Sequence, residues 1–241
     1  MGVKINPWTM EETVKEIENR LETGKSTVIS AVNAAKIVNL QKDQQLHKAI
    51  TSSDIVLFDG IGVVWAARIM GYKVPQRVAG IDLFQRLIML AQEKETPIYL
   101  LGAEKTAIEK AAEKIQDTHP KIKIAGFHHG YFTNDEEMAA TIKNSGAKML
   151  FIGMSSPQKE NFMTQWGEKT QAKIMMGVGG TFDILAGKTK RAPKKIQQIG
   201  LEWLYRTTQE PRRLWKRYLV TNTLFIILLT KEIFKKHDAP H

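Results

Sequence analysis

The sequence predicts an α/β fold: a Rossmann-like parallel sheet with helices on both faces, followed by a helical C-terminal appendage that associates with membranes. Short apolar runs alternate with stretches of helical periodicity through most of the 241 residues, which is typical of parallel strands joined by helices. From about residue 193 the pattern becomes a basic amphipathic helix. We therefore expect an α/β catalytic domain over residues 1–192 and the appendage over residues 193–241.

The individual elements follow from local patterns. Thr9 stands three residues before Glu12, as in a capping box, and predicts the start of the first helix. Six apolar runs predict strands over 27–31, 55–58, 98–101, 123–126, 149–152 and 173–176, with helices over 34–50, 61–70, 81–94, 104–117, 134–144 and 157–168. Because ligands of such sheets bind beyond the carboxyl ends of the strands, the loops after these strands should hold the functional residues.

Composition narrows the classes of partner. The formal net charge of +10 favours phosphate-rich partners, whether nucleotide, nucleic acid or anionic lipid. The absence of cysteine excludes disulfides and a thiol nucleophile, and is consistent with a reducing cytoplasm. No signal peptide is visible, and the longest apolar run, 224–229, is too short to span a bilayer. We expect a cytoplasmic protein that is peripheral on the inner face of the cell membrane.

Asp59 is the strongest candidate for a reacting group. It ends an apolar strand and precedes Gly60, so its carboxylate should point into the crevice, where it could act as a general base on a hydroxyl. The alternative is an aspartate that caps the helix over 61–70. Arg77, in the next loop, is a candidate phosphate ligand, and Asp82 could pair with it.

A glycine-rich turn follows the last strand. Bare backbone N–H groups at Gly179 and Gly180 would allow an anion to approach closely, and Asp183 could accept hydrogen bonds from a ribose or base, or cap a helix. The turn lacks the dinucleotide-binding fingerprint. His128 and His129 lack partners at metal-ligand spacing, and no D-x-D, P-loop or nucleophile-elbow motif occurs, so we expect no metal site and no cofactor.

The basic excess is concentrated near the appendage. Residues 188–217 contain ten basic and two acidic side chains. Arg213 and Arg217 are four residues apart and could grip a diphosphate together. The neighbouring Trp203, Trp215 and Tyr218 suit an anionic membrane interface, with core packing as the alternative.

Taken in order, these segments resemble the WecG/TagA/CpsF family of bacterial glycosyltransferases. The resemblance runs from about residue 3 to residue 229 and rests on seven segments of the sequence: FDGIGVVWAAR, PQRVAGIDLF, IYLLGAE, FHHGYF, FIGMSSPQKENF, GVGGTFDILAGKTKRAPK and GLEWLYRTTQEPRRLWKRYLVTN. It implies transfer of a sugar from a UDP-sugar to a polyprenyl-diphosphate-linked saccharide, for cell-surface polysaccharide synthesis. It also implies that the reaction inverts the configuration of the anomeric carbon and needs no metal ion.

The resemblance also implies roles for individual residues. Asp59 corresponds to the family's proposed base, and Tyr131 to a tyrosine near the uracil. The catalytic set implied by the resemblance is Asp59, Arg77, Arg206, Arg213 and Arg217, and the substrate-binding residues that it implies are Asn33, Tyr131 and Asp183. The loops after the strands add five further substrate-binding candidates: Gly60, Gly102, Lys159, Gly179 and Gly180.

Two departures from the teichoic-acid members bear on the substrate. Those members have threonine-proline where this chain has Ala31 and Val32, and P-K-Q-E where it has PQKE over 157–160. We therefore expect capsule or exopolysaccharide synthesis, or teichoic acid synthesis, with N-acetylmannosaminyl transfer for the wall teichoic acid linkage unit as the alternative. A nucleic-acid-binding protein is a distant alternative, disfavoured because the charge lies on one amphipathic tail. Homo-oligomerisation is left open.

Overall fold

The protein is built on a six-stranded parallel sheet. The computed structural model describes residues 2–237, except for the side chains of Arg213, Lys236 and His237. The strands are β1 Thr27–Val32, β2 Ile55–Phe58, β3 Ile98–Gly102, β4 Ile124–His128, β5 Met149–Gly153 and β6 Ile174–Gly177. Their order across the sheet is β2-β1-β6-β5-β3-β4, and every pairing is parallel. The predicted fold class is confirmed, and each predicted strand is present within two residues of its expected bounds.

Helices connect and cover the strands. They are α1 Met10–Glu22, α2 Ala34–Asn39, α3 Gln44–Thr51, α4 Ile61–Ile69, α5 Gly80–Glu93, α6 Lys105–Thr118, α7 Asp135–Ser145, α8 Gln158–Thr170, α9 Thr181–Leu185, α10 Lys194–Gln198, α11 Glu202–Gln209 and α12 Pro211–His237. Thr9 and Glu12 form the expected capping box at α1. The helix predicted over 34–50 is divided into α2 and α3, because the Asp43 carboxylate accepts the Leu46 N–H at 2.9 Å and so starts a new helix.

Apolar clusters fill both faces of the sheet. On one face, Phe84 of α5 packs edge-on against Phe151 of β5 and Phe182 of α9, with ring centroids 4.9 and 6.1 Å apart. On the other, α2, α3 and α4 pack around β1 and β2. Phe225 of α12 joins this second cluster and is 5% exposed. The last helix therefore contributes to the core of the α/β unit.

The appendage folds back over the carboxyl edge of the sheet. Gly200, between α10 and α11, has φ +76° and lies so close to Ile61 at the start of α4 that a Cβ would clash with that side chain. Gln209 exchanges two side-chain hydrogen bonds with the backbone of Lys190, at 2.8 and 2.9 Å. None of the helices described over residues 2–237 combines the length and the apolar content needed to cross a bilayer.

Candidate functional site

Asp59 lies at the carboxyl end of β2, where two backbone groups fix it. Its Oδ1 accepts the N–H of Gly80 at 2.9 Å, and its own N–H donates to Val32 O at 3.1 Å. Gly80 is the first residue of α5, so the carboxylate faces the N-terminal end of that helix. Asp59 does not cap the helix over 61–70 as the alternative expected, because the N-cap position of α4 is Gly60 and no side chain caps this helix.

Asn33 and Gly60 lie against each other beside Asp59. A Cβ on Gly60 would lie 2.9 Å from the Cβ of Asn33, so only glycine fits there without a shift. The Asn33 side chain accepts the Lys36 N–H at 3.1 Å and caps α2. The ends of β1 and β2 are thus packed closely together beside Asp59.

Arg77 connects this wall to the appendage. Its Nε donates to the backbone carbonyl of Asp59, and its Nη2 lies 2.8 Å from Oε2 of Glu202 in α11. The sequence-based interpretation made Arg77 a phosphate ligand. In the structure its guanidinium holds the strand end and the appendage together, and Glu202 is a partner that sequence reasoning missed.

The predicted pairing of Asp82 with Arg77 is wrong. Asp82 receives two hydrogen bonds from Arg191, at 2.6 and 2.8 Å, in a bidentate ion pair. Arg191 Nε also lies 3.6 Å from Glu202 Oε1. Glu202 therefore sits between Arg77 and Arg191, and the segment that leads to the appendage is tied to α5 at its first turn.

The glycine turn after β6 is covered by the appendage. Gly179 has φ +55°, which favours glycine, and a Cβ on Gly180 would lie 2.5 Å from Nη2 of Arg206. The guanidinium of Arg206 thus rests on bare backbone at the start of α9. This places a predicted site residue of α11 at the predicted anion-binding turn.

Lys159 and Glu160 are buried at the start of α8. Lys159 Nζ lies 2.9 Å from Glu160 Oε1, and Lys36 Nζ lies 3.0 Å from the same oxygen. Burial lowers the pKa of Lys159 to about 8, and the positive charge of Lys36 adds to this shift. Burial acts to raise the pKa of Glu160, but the two ammonium groups outweigh it and hold that pKa below its ordinary value.

Arg217 of α12 reaches the same region. It is close enough to Lys159 that its charge contributes to the lowered pKa of that lysine. Its guanidinium also lies 5.1 Å from the centre of the Tyr218 ring. The side chain of Arg213 lies outside the described residues, so the predicted pairing of Arg213 with Arg217 stays a prediction.

Tyr131 and Asp183 lie around Lys188 at the other end of the edge. The ion pair with Glu104 at 2.8 Å raises the pKa of Lys188, and the negative charge of Asp183 adds to this shift. Tyr131 is 72% exposed and lines a cavity of about 310 Å³ beside β4 and α7. These residues form a rim that is open to solvent, which suits a flat ring stacking on the phenol.

Gly102 lies behind this rim, at the end of β3. It has φ +132°, and a Cβ there would lie 2.5 Å from the carbonyl carbon of Gly153. The backbones of β3 and β5 therefore approach each other where the loops diverge. Glycine at position 102 is therefore required by this close packing.

No cluster of metal ligands was found among residues 2–237: no three acidic or histidine side chains converge there. His128 Nδ1 lies 2.8 Å from the carbonyl of His129, so this ring is engaged with its own loop. Arg206 lies on the glycine turn at Gly180, and the stem of Lys159 lies along Gly177 just before the turn.

Together, these features define an α/β enzyme whose parallel sheet places a carboxylate and several cations at one edge. The chain belongs to the Glycosyl transferase WecG/TagA/CpsF family, whose match covers residues 1–239. It is a glycosyltransferase of this family, as the resemblance implied.

Two bacterial relatives carry the same name, N-acetylglucosaminyldiphosphoundecaprenol N-acetyl-beta-D-mannosaminyltransferase. The protein of Bacillus subtilis (strain 168) is 35% identical over 213 residues, which is 88% of this chain and 83% of the relative. The protein of Bacillus spizizenii (strain ATCC 23059 / NRRL B-14472 / W23) is 32% identical over 199 residues, or 83% of this chain and 77% of the relative.

Proposed function

We propose that this glycosyltransferase moves a sugar from a UDP-sugar to a saccharide carried on a polyprenyl diphosphate, at the cytoplasmic face of the membrane and with inversion. The observation that carries the proposal is the placement of opposite charges at one edge of the sheet. The Asp59 carboxylate is held by Gly80 at the end of β2, and Arg206 lies on the glycine turn at the end of β6. A base and an anion-binding cation are what such a displacement requires.

In the proposed reaction, Asp59 accepts the proton of the acceptor hydroxyl. The hydroxyl oxygen forms a bond to the anomeric carbon while the bond from that carbon to the UDP oxygen breaks, so one displacement inverts the centre. UDP leaves with the electron pair. Its growing negative charge is stabilised by Arg206, Arg217 and the backbone N–H groups of the turn, without a metal ion. Tyr131 offers a stacking surface for the uracil.

N-acetylmannosamine is the first donor sugar to test. Both relatives are named for transfer of an N-acetylmannosaminyl group to N-acetylglucosaminyl diphosphoundecaprenol. This favours the linkage-unit alternative over capsule or exopolysaccharide synthesis. The PQKE segment over 157–160 still differs from the teichoic-acid pattern, so the donor should be determined with a panel of UDP-sugars.

The appendage supports action at a membrane surface. Trp215, Leu219 and Ile226 of α12 are 55%, 61% and 62% exposed. Their spacing places them on one face of the helix, and the exposed Arg212 and Lys216 lie beside them in sequence. An apolar stripe flanked by cations suits an anionic bilayer surface, where the lipid-linked acceptor is found.

The proposal is tested by thermal unfolding with and without UDP, with NAD as the control. A ligand at a hundred times its Kd stabilises a protein by roughly 2.7 kcal/mol. We expect UDP to raise Tm and NAD to leave it unchanged. Transfer is then measured with UDP-N-acetylmannosamine and an N-acetylglucosaminyl diphosphoprenol. Stabilisation by NAD alone, or no transfer from any UDP-sugar in the presence of anionic vesicles, would contradict the proposal.

A further inference from the structure

Two buried side chains, Lys159 and Glu160, and the partly buried Lys36 form a charged cluster near the carboxyl ends of β1 and β6. Lys36 of α2 and Lys159 of α8 approach the same oxygen of Glu160, at 3.0 and 2.9 Å. Glu160 is 2% exposed, and neither of its oxygens has a hydrogen bond of good geometry within the described part of the chain. The carboxylate is held by ion pairing to two cations.

The charges of this cluster do not balance. Two ammonium groups share one carboxylate, and Arg217 of α12 adds a further positive charge nearby. Lys36 Nζ also donates to the carbonyl of Ala31 at 2.8 Å. Among residues 2–237, Glu160 is the one ion-pair partner of Lys159. A buried ammonium with an incomplete set of acceptors is costly, and an anion arriving beside it would offset that cost.

The lysine also points to the place where a substrate anion is expected. Its stem runs along Gly177, the last residue of β6, where a Cβ would lie 2.9 Å from both Cδ and Cε of Lys159. After Gly177 the chain continues directly into the turn at Gly179 and Gly180, where the guanidinium of Arg206 contacts Gly180. Lys159 of α8 and Arg206 of α11 therefore both lie against backbone at or just after the end of β6.

We propose that Lys36, Glu160 and Lys159 form an anion subsite in which Lys159 Nζ binds an anionic oxygen group of the donor nucleotide. Lys36 anchors Glu160, and Glu160 positions the ammonium of Lys159. This inference rests on the proposed function. The anionic oxygen has two chemical sources in a nucleotide sugar, the diphosphate or a carboxylate on the sugar, and the experiment below separates them.

The titration of Lys159 supports the assignment. Its pKa is lowered to about 8, mainly by burial and also by Lys36 and Arg217, while Glu160 opposes the shift. In the protein without ligand, Lys159 is then charged in about nine-tenths of the molecules at pH 7 and in about one-tenth at pH 9. A bound anion favours the charged form, so binding should take up a proton near pH 8.

The test is isothermal titration of the full chain with uridine, UDP, UDP-N-acetylglucosamine and UDP-glucuronate. It compares wild type with Lys159→Gln, which removes the charge and keeps a polar side chain. Lys169→Gln is the matched control, because Lys169 lies on the same helix in an exposed pair with Glu136. Circular dichroism and Tm show whether each variant is folded. Lys159→Met, which keeps the stem, serves as a second variant.

If the anion is the diphosphate, Lys159→Gln weakens UDP binding by about fivefold or more and leaves uridine binding unchanged. If it is a sugar carboxylate, UDP binding is unchanged and UDP-glucuronate loses about fivefold relative to UDP-N-acetylglucosamine. In both cases the difference in affinity between wild type and Lys159→Gln is smaller at pH 9 than at pH 7, because Lys159 has lost most of its charge at pH 9. The control Lys169→Gln binds each ligand as wild type does.

Equal affinities of wild type, Lys159→Gln and Lys159→Met for all four ligands would overturn the subsite while leaving the proposed function intact. A ratio independent of pH would overturn the role of the lysine charge. Failure of wild type to bind any uridine diphosphate would overturn both the subsite and the proposed function.

Discussion

The guanidinium of Arg77 and the carboxylate of Glu202 lie 2.8 Å apart, although 125 residues separate them in sequence. The same guanidinium donates to the backbone carbonyl of Asp59. One side chain therefore contacts both the end of β2 and the first turn of α11. Docking of the appendage and the position of Asp59 are coupled through this contact.

Glu202→Gln should lower transfer activity more than it lowers stability. The substitution keeps the size of the side chain but removes the charge that holds Arg77, so the backbone at Asp59 loses a support. We expect kcat to fall about tenfold, or roughly 1.4 kcal/mol in the barrier, with UDP affinity changed by less than about threefold. Because the pair is partly exposed, the substitution should lower the free energy of unfolding by only about 1 kcal/mol.

Steady-state kinetics and UDP titration measure these effects. Glu136→Gln is the matched control, since it removes one carboxylate from an exposed pair with Lys169 at 2.9 Å. An increase in KM with an unchanged kcat would show that Glu202 does not act through Asp59.

Asp59→Asn should abolish transfer and preserve the fold. The asparagine oxygen can still accept the Gly80 N–H, which Asp59 accepts at 2.9 Å, but the amide cannot take a proton from a hydroxyl. We expect a loss of about a hundredfold or more in kcat, with UDP binding nearly intact. Asp59→Ala should in addition lower stability by about 1 kcal/mol, because Gly80 loses its acceptor. Full activity of Asp59→Asn would remove Asp59 from the role of base.

Much of the fold could be predicted because it depends on local patterns. Buried parallel strands read as short apolar runs, and Thr9 with Glu12 marks a helix start by spacing alone. The division at Asp43 was missed because apolar periodicity continues across it. Local patterns also indicated the strand-end position of Asp59 and the glycine turn.

The pairing partners could not be predicted, because they depend on tertiary packing. Arg77 pairs with Glu202, and Asp82 pairs with Arg191, 109 residues away. No spacing rule connects such positions. Lys36 and Glu160 were missed for the same reason: each looks like an ordinary charged helical residue until α2 and α8 bring them to one point.

Gly180→Ala should reduce activity through Arg206. Gly180 has an ordinary φ of −83°, so alanine fits the backbone. The new Cβ would lie 2.5 Å from Nη2 of Arg206, and the flexible arginine would move away from the turn. We expect kcat to fall about tenfold with little change in Tm. The check is a double-mutant cycle: on an Arg206→Ala background, Gly180→Ala should add almost nothing. An additive loss would mean that the glycine acts independently of Arg206.

Lys159 should make stability depend on pH in the alkaline range. Its pKa is about 8 in the folded state and 10.5 in the unfolded chain, so between these values the unfolded state binds more protons. Stability contributed by this group therefore rises with pH across that window. Relative to Lys159→Gln, wild type should gain about 1–3 kcal/mol in the free energy of unfolding between pH 8 and pH 10. Urea denaturation of both proteins at both pH values measures this difference. If the free energy of unfolding of wild type and of Lys159→Gln changed equally with pH, the lowered pKa of Lys159 would be contradicted.

The two faces of α12 should separate stability from membrane binding. Leu214 and Phe225 are buried at 1% and 5% exposure, and Phe225 packs in a core cluster of the α/β unit, whereas Trp215 and Leu219 are largely exposed. Phe225→Ala should cost about 3 kcal/mol in stability, because it leaves a cavity in the core.

The double substitution of Trp215 and Leu219 by alanine should change stability by less than about 1 kcal/mol but weaken binding to anionic vesicles severalfold. It should slow transfer to a vesicle-borne acceptor while leaving transfer to a short, water-soluble acceptor unchanged. Equal losses with both acceptors would assign this face to the active site, and no loss with either would remove it from membrane docking.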